Sequence, residues 1–320
     1  MNTIPLTHDA YKPTYTVLGG MHGRNCHEAF PVSVLVLNRG PNLYRSSIFQ
    51  DLTHIGFDSI LSIEAGDEST EIESLAARYP QVRFITFKDP VTVGDCINVG
   101  VRESCAPYIF VLWNDMKLAT STLSSRFFDK VAELDLVCLV PNLADSTGTA
   151  LPTTIHPAVA RNTIKPVSLV PNRDNEKTLY PYDWCGIYSR EKFIMLGGFD
   201  HTIKQPYWQR LDFGLRSWLW GESICQAQAL KLLYTGQIPV DETSPSDGYA
   251  RFWLKNIAPV HAIDNGTLPV SRFFPYLVQS GHGPLRAWEA FSQARRWVET
   301  NAYRFKQDVR RLVELWDPFE

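Results

Sequence analysis

Two acidic residues that follow apolar runs are the side chains of this sequence best placed for chemistry. Asp115 comes directly after Asn114 at the end of the run Y-I-F-V-L-W, and Glu64 follows the shorter run S-I-L-S-I. Such runs are typical of buried strands in a parallel sheet, and open α/β sheets bind ligands at the carboxyl ends of their strands. A carboxylate there can hold a divalent cation through its oxygens. The alternative for Asp115 is a structural role, as the cap of a helix that begins near Met116.

The elements that would position these acids alternate between strand and helix. Apolar runs predict strands near 32–37, 59–63, 82–87 and 108–113. Helices are expected between them near 43–55, 70–78 and 94–104. Three strand–helix units that lead into a wholly apolar strand predict an α/β fold, with a mostly parallel sheet, flanking helices and right-handed crossovers.

The following part of the chain is less regular. A helix near 122–134 and strands near 136–140, 180–188 and 228–234 are expected. The connection 141–174 is rich in Pro, Thr and Asn, and so long a connection is typical of a functional loop or lid. A short helix at 191–196 should end at glycine, and an aromatic helix that stops at Gly221 carries Asp212 near its start.

The sequence has no glycine-rich cradle for phosphates. Neither G-x-G-x-x-G after the first strand nor G-x-x-x-x-G-K-[ST] occurs. A nucleotide bound at the sheet edge would therefore need a metal held by carboxylate oxygens, and Mn²⁺ and Mg²⁺ both accept such ligands.

Composition argues against a nucleic-acid-binding protein and indicates the cellular compartment. A formal net charge of -3 gives no sign of a nucleic-acid surface. The six scattered cysteines include no C-x-x-C pair, which favours reduced thiols over disulfides or zinc. The first thirty residues lack the apolar core of a signal peptide, and no apolar run is long enough to cross a bilayer. We therefore expect a cytoplasmic protein.

Four features in the same order resemble the family-two GT-A glycosyltransferases. They are the V-S-V-L-V-L strand, the E-A-G-D-E-S-T turn in place of a D-D-G-S-T-D-like turn, the Asn98-x-Gly100 helix leading into L-W-N-D-M, and G-G-F-D followed by L-D-F-G-L-R. The resemblance covers roughly 31–235. It implies a GT-A domain at 31–240, between an N-terminal arm (1–30) and a helical C-terminal extension (241–320).

The resemblance also implies an activity. Such an enzyme is inverting and moves a sugar from a nucleotide-sugar donor to a hydroxyl of a glycan or lipid-linked acceptor. Asp115 would hold Mn²⁺ or Mg²⁺ on the diphosphate, and Asp212 would be the general base. The expected nucleotide-sugar-binding residues are Leu37, Asn38, Glu64, Gly94, Asn98 and Asn114.

Alternatives stay open for several of these residues. Asp212 can instead cap its helix or pair with Arg216 four residues on, and Glu64 can be a solvated turn acid. Trp113 and Leu211 stand where the resembling enzymes carry acids, so a catalytically silent nucleotide-sugar-binding or scaffold protein of the same fold is the second hypothesis.

Some aromatic and histidine residues have two interpretations as well. Trp184, Tyr207 and Trp208 can form a stacking platform for an acceptor sugar, although buried packing explains aromatic residues equally well. His156 and His261 can be metal ligands, but a lone histidine is more often structural.

The extension is predicted to contain one long amphipathic helix after Pro284. Its apolar residues recur at steps of three and four: Trp288, Phe291, Val298, Ala302, Phe305, Val309, Leu312 and Trp316. The opposite face is rich in arginine, diluted by acids. Such a helix can lie on the inner face of a membrane, or pack on the catalytic domain or on the second subunit of a homodimer.

Overall fold

The computed structural model describes residues 12–20, 30–39, 43–64, 69–118, 123–160, 163–244 and 247–317. The centre of the E-A-G-D-E-S-T turn, Cys26 and residues 40–42 lie outside these ranges.

The strands of the described chain follow in this order: β1 (Tyr15–Gly19), β2 (Phe30–Leu37), β3 (Phe57–Glu64), β4 (Val82–Phe87), β5 (Tyr108–Trp113), β6 (Met116–Leu118), β7 (Cys138–Ala144), β8 (Thr154–His156), β9 (Val159–Ala160), β10 (Thr163–Ile164), β11 (Val167–Leu169), β12 (Gly186–Ser189), β13 (Ile224–Tyr234), β14 (Val260–Ala262) and β15 (Asn265–Thr267).

The helices are α1 (Leu43–Thr53), α2 (Ser69–Arg78), α3 (Val93–Glu103), α4 (Ser125–Glu133), α5 (Arg190–Leu196), α6 (Pro206–Leu219), α7 (Asp247–Phe252), α8 (Phe273–Ser280), α9 (Pro284–Thr300) and α10 (Val309–Glu314). Short 3₁₀ turns occur at Tyr182–Trp184, Val270–Arg272 and Ala302–Arg304, and a π-helical turn at Trp253–Ile257.

A nine-stranded sheet organises these elements, in the order β1-β4-β3-β2-β5-β12-β7-β13-β6. Strands β4, β3, β2 and β5 run parallel, and β2 lies between β3 and β5. Their residues Val34, Leu35 and Val36 are fully buried, as expected of a strand with both faces covered. The predicted α/β fold is confirmed, and antiparallel strands β1, β12 and β6 are added to it.

The strand order places a topological switch point between β2 and β5. The chain builds outward from β2 through β3 to β4, and then returns to the other side of β2 with β5. In the register of these strands Leu37 pairs with Trp113, so the two carboxyl ends lie side by side. Ligands of open α/β sheets bind in the crevice beyond such a point.

Two segments differ from the sequence predictions at the borders of the sheet. Tyr15–Gly19, for which no strand was predicted in the N-terminal arm, is an edge strand that pairs antiparallel with β4, because the exposed hydrogen-bonding edge of β4 accepts it. Met116 begins β6 rather than a helix, and pairs with Tyr234 of β13. The helix-cap alternative for Asp115 is therefore wrong.

The prediction of one long C-terminal helix is also wrong, because the structure has two shorter helices there. Helix α9 ends at Thr300, and α10 begins only at Val309 after a 3₁₀ turn. Asp308 caps α10 by accepting from the backbone N–H of Arg311, and the Lys306 N–H donates to the carbonyl of Leu219 (2.8 Å). Tertiary contacts thus interrupt a helical apolar pattern.

The C-terminal extension packs on the sheet domain through aromatic side chains. Trp297 of α9 stacks on Trp220 (5.9 Å between ring centroids), and Phe252 of α7 lies 5.2 Å from Trp208 of α6. Packing on the chain itself therefore covers part of the predicted apolar stripe, including Phe291 and Val298. In the part of the chain that the structure describes, no helix combines the length and apolar character needed to span a bilayer.

Gly100 permits close contact between α3 and β2. A Cβ atom at this position would lie 2.5 Å from Cδ1 of Leu35. We expect Gly100→Ala to lower the free energy of unfolding by about 1–3 kcal/mol, although alanine is the better helix former. Chemical denaturation measures this. Gly283→Ala is the control, because no atom lies within 4 Å of a Cβ there. A neutral or stabilising Gly100→Ala would contradict the close contact.

Candidate functional site

The carboxyl ends of β2 and β5 are joined by hydrogen bonds at the switch point. The backbone N–H of Asn114 donates to the carbonyl of Leu37 (2.8 Å). The side-chain oxygen of Asn114 accepts from the backbone N–H of Arg39 (3.1 Å). Three of the predicted donor-binding residues, Leu37, Asn38 and Asn114, therefore meet at one point of the sheet edge.

The side chain of Arg39 lies between two carboxylates at this edge. Its Nε donates to Asp115 (2.9 Å) and its Nη1 donates to Asp183 (2.8 Å). The guanidinium carbon stands 4.3 Å from the ring centroid of Trp113, in cation–π geometry. Trp113 stands where the metal motif of the resembling enzymes has its first acid. Here its ring stabilises the positive charge of Arg39 instead.

Asp183 is held in this position by an unusual backbone. Asp183 and Trp184 both have positive φ (50° and 58°), a region that costs free energy for residues other than glycine. The indole N–H of Trp113 donates to the Asp183 carbonyl (2.9 Å), and the Tyr234 hydroxyl donates to its carboxylate (2.9 Å). Strain of this kind, with so many contacts that maintain it, is common at functional sites.

Burial and charge set the protonation states of this cluster. Burial raises the pKa of Asp183, and the positive charge of Arg39 opposes that rise without cancelling it. Burial lowers the pKa of Arg39, but the charges of Asp183 and Asp115 outweigh this and the net pKa is raised. Burial, with the charge of Asp183, also raises the pKa of Tyr234, so its hydroxyl remains a donor.

Asp115 retains one carboxylate oxygen for a ligand. Its Oδ1 is buried and has no hydrogen-bond partner among the described residues, while Oδ2 accepts from Arg39. Gly236 packs against it so closely that a Cβ there would lie 2.8 Å from Oδ2. The described residues contain no group of three or more His, Cys, Asp or Glu side chains suited to a metal ion. Protein atoms would thus supply only part of a coordination shell.

Glu64 lies at the end of β3 and is buried rather than solvated. Its carboxylate accepts from the Ser62 hydroxyl (2.6 Å) and from the Asn38 amide (3.2 Å), and pairs with Arg45 (3.3 Å). The alternative of a solvated turn acid is therefore wrong. Glu64 fixes Asn38 beside the switch point, and its role toward a nucleotide base stays a prediction.

Asn98 and Gly94 join helix α3 to the G-G-F-D turn and to α6. The Asn98 amide both donates to the carbonyl (2.8 Å) and accepts from the N–H (2.9 Å) of Phe199. The N–H of Gly94 donates to the side chain of Gln209 (3.1 Å), and a Cβ on Gly94 would lie 2.5 Å from Gln209. The structure thus gives both residues a packing role, while their contact with a donor remains a prediction.

Asp212 lies in the middle of α6, not near its start, and is fully buried. It pairs with Arg216 (3.3 Å), which is one of the two structural alternatives, and with Lys255 (3.0 Å). Asn256 donates to the same carboxylate (2.7 Å). Lys255 also pairs with Asp200 of the G-G-F-D turn (2.7 Å), so one buried lysine of the extension holds the acids of two motifs.

The predicted acceptor aromatics are all buried. The guanidinium of Arg210 lies 4.6 Å from the ring centroid of Trp184, and Trp208 packs on Tyr249 of the extension (4.7 Å). Tyr207 and Trp208 are only 7% and 6% exposed. Of the three, Trp184 adjoins the switch-point cluster through Trp113 (6.2 Å).

The two histidines offer no built metal site among the described residues. His156 lies 3.6 Å from Glu176, and burial lowers its pKa against the opposing charge of that acid. The backbone N–H of His261 donates to Asp308 (3.3 Å).

Sequence reasoning missed three residues of these clusters. Arg39 follows the strand predicted near 32–37 and received no role, Asp183 lay within the strand predicted near 180–188, and Lys255 lay in the extension without a role. For Arg39 the signal was its place next to Asn38, immediately after a buried strand. For Asp183 and Lys255 no local pattern reveals the long-range pairing.

Comparison with solved structures identifies the fold. A crystal structure of GalNAc-T7 with UDP, GalNAc and Mn²⁺ superposes with a TM-score of 0.55, at 12% identity over 70% of this chain and 48% of that one. The fold is that of the GT-A glycosyltransferases. S. aureus TarS superposes less closely, with a TM-score of 0.49 at 12% identity over 89% of this chain and 45% of that chain.

The chain thus spans about half the length of the GalNAc-T7 chain, 48%. No protein-family model matches the sequence, and no curated protein is similar to it at a significant level.

The Arg39 cluster predicts a pH-dependent effect of mutation. The pKa of Asp183 is higher in the folded protein than in the unfolded chain, where it is about 3.9. The contribution of Asp183 to stability is therefore lost as the pH rises from that unfolded value through the folded value. Removing Arg39 raises that pKa further. We therefore expect Arg39→Met to destabilise the fold little at about pH 4 and increasingly toward pH 8.

Chemical denaturation across this pH range measures the effect. Arg126→Met, at an exposed arginine of α4, is the control and should show little dependence on pH. A destabilisation by Arg39→Met that does not grow with pH would contradict the pairing.

Proposed function

We propose that this protein is a nucleotide-sugar-dependent, inverting glycosyltransferase whose donor binds at the β2–β5 switch point. The observation that carries the proposal is the convergence of Asn38, Arg39, Asn114 and Asp115 at that point of a GT-A fold. The neighbouring GalNAc-T7 structure contains UDP and Mn²⁺. The proposed acceptor is a hydroxyl of a glycan or of a lipid-linked sugar.

The donor set of the site fits a divalent cation. Asp115 Oδ1 is a hard oxygen ligand, buried and without a partner among the described residues. Mg²⁺ in substrate complexes is often held by one or two carboxylates, with diphosphate oxygens and water completing the shell. A cation bound there would neutralise charge on the departing diphosphate.

Arg39 changes partner in this proposal. In the structure Arg39 covers Asp115 and Asp183. Its side chain is 23% exposed, whereas those of Asp115 and Asp183 are 6% and 3% exposed. A guanidinium binds phosphate oxygens bidentately. Donor binding would draw Arg39 onto the diphosphate and free both carboxylates.

The reaction needs a carboxylate to receive one proton. The acceptor hydroxyl oxygen attacks the anomeric carbon, the bond from that carbon to the diphosphate oxygen breaks, and the hydroxyl proton passes to the base. The resemblance predicts Asp212 for this role. The geometry favours Asp183, because its partner Arg39 is partly exposed and would be drawn to the diphosphate, and its raised pKa improves it as a proton acceptor. Asp212 lies beneath Lys255 and Asn256.

A catalytically silent nucleotide-sugar-binding protein is the second candidate. It is favoured by the pairing of both carboxylates with Arg39, which already neutralises one of the two negative charges. Binding of a donor with no turnover of any acceptor in a broad panel would select it.

Donor binding is testable by thermal stability. A nucleoside diphosphate that binds only the folded state, at about 100 times its Kd, should stabilise the fold by about 2.7 kcal/mol and raise Tm by several degrees. We expect such a shift for one nucleotide of a panel, larger with Mn²⁺ than with chelator, and lost in Asp115→Ala. Asp129→Ala, at an exposed acid of α4, is the control. No shift with any nucleotide would contradict the proposal.

The base is testable by comparing two conservative variants. We expect Asp183→Asn to lower kcat by roughly 10²–10⁴-fold with donor binding retained, since general base catalysis contributes that much. Asp212→Asn should act mainly on stability, by about 3 kcal/mol or more, because it unbalances a buried charge cluster. Rates of nucleotide release and melting curves measure the two effects. Loss of turnover in a fully folded Asp212→Asn would instead assign the base to Asp212.

A further inference from the structure

A cavity of about 490 Å³ lies between the C-terminal extension and the long connection that follows β7. Its wall is formed by the π-helical turn, β14 and α10 of the extension, and by Ile164 of β10. Cavities of roughly 300–1,000 Å³ are typical of small-molecule sites. The residues that line it include neither Arg39 nor Asp115 nor Asp183, so the cavity is separate from the proposed donor site.

Much of the wall is apolar. Ile257, Val309 and Val313 contribute to it, together with Trp253. The Trp253 ring lies nearly parallel to that of Tyr276, at an interplanar angle of 16° and with 6.5 Å between the centroids, and this contact fixes its position. A wall of this kind gains free energy when it covers the apolar face of a ligand.

Two polar side chains of the wall are available to a ligand in different ways. Both carboxylate oxygens of Asp308 are held in place, since they accept from the backbone N–H groups of Arg311 (3.0 Å) and His261 (3.3 Å). Each of these oxygens keeps a second lone pair. The partly exposed side chain of Arg272 makes no hydrogen bond or ion pair with any other residue that the structure describes. The wall thus offers a fixed acceptor and an unused set of donors.

The formal charges around the cavity balance. Besides Arg272 and Asp308, Arg310 and Glu314 line it, and these two pair with each other at 3.9 Å. An anion would face both acids, and a cation would face both arginines. A purely apolar ligand would cover charged groups without offering them a partner. A neutral ligand rich in hydroxyl groups suits all four, because its hydroxyls donate to carboxylates and accept from arginines.

We propose that this cavity is a carbohydrate-binding site. A neutral sugar would place the C–H face of its ring on the apolar wall, donate a hydroxyl group to Asp308 and accept from Arg272. A sugar carries both an apolar face and hydroxyl groups, and the wall provides partners for both. The inference goes beyond the proposed transferase reaction and does not require it, because the cavity lies outside the proposed donor site.

Saturation-transfer NMR of the full chain with neutral sugars, in the absence of nucleotide and metal, tests this. The probes are glucose, galactose, N-acetylglucosamine, cellobiose and lactose. We expect at least one of them to receive saturation through its ring protons, and its titration to give a Kd. Arg272→Met should raise that Kd at least about tenfold, because it removes a charge-assisted hydrogen bond to the sugar.

The matched control is Arg286→Met, because Arg286 is an exposed arginine of α9 that does not line the cavity. It should bind the sugar as the wild type does. Neither arginine is buried, so both variants should keep the Tm of the wild type, which is checked in parallel. The proposal is overturned if no sugar of the panel binds, or if Arg286→Met weakens binding as much as Arg272→Met.

Two further comparisons separate this site from the donor site and from a site for charged ligands. Asp115→Ala should leave sugar binding unchanged. Loss of binding in Asp115→Ala but not in Arg272→Met would place the sugar at the β2–β5 switch point and overturn the proposal. Hexanoate, hexylammonium and the zwitterion glycylglycine are the charged probes. Tighter binding of any of these than of the sugars, lost in Arg272→Met, would assign the cavity to that class of ligand and also overturn it.

Discussion

A single guanidinium between two buried carboxylates determines the arrangement of the sheet edge. Arg39 follows β2, Asp115 follows β5, and Asp183 precedes β12, so one side chain ties three segments to the switch point. Removing Arg39 at neutral pH would leave two buried carboxylates without a counter-charge, and breaking a buried pair in this way costs about 3–5 kcal/mol. The same side chain covers the carboxylate that would hold a cation. Stability in the free protein and access to the proposed donor site would therefore depend on the same contacts.

The interior of the protein repeats this arrangement with different accessibility. Lys255 lies between Asp200 and Asp212 as Arg39 lies between Asp115 and Asp183, but its side chain is 1% exposed whereas that of Arg39 is 23% exposed. Burial lowers the pKa of Lys255, and the two acids oppose that fall. The interior cluster fixes the C-terminal extension on α6, while the cluster at the edge, with its partly exposed arginine, is the one that we propose opens toward a ligand. This contrast is why we assign structure to Asp212 and chemistry to the edge.

Local patterns predicted the parts of this structure that depend on local physics. Runs such as V-S-V-L-V-L favour buried strands through local properties alone, and the order of units correctly placed Asn114 and Asp115 at the carboxyl edge of the sheet. The pairs that complete the site join residues 76 and 144 positions apart, which no spacing in the sequence encodes. For the same reason the sequence predicted one long helix where the structure has α9 and α10. The interruption comes from the cap at Asp308 and from a backbone contact with Leu219, neither of which the helical pattern reveals.

The central claim is that the donor and its cation bind at Asp115. A crystal structure with Mn²⁺ and the nucleoside diphosphate that stabilises the protein most would test it, because anomalous scattering locates the ion. The account predicts an anomalous peak at coordination distance, about 2.0–2.2 Å, from Asp115 Oδ1, with the diphosphate beside it and Arg39 withdrawn from Asp183. A nucleotide bound elsewhere, or one bound with Arg39 still between the two carboxylates and no ion at Asp115, would contradict it.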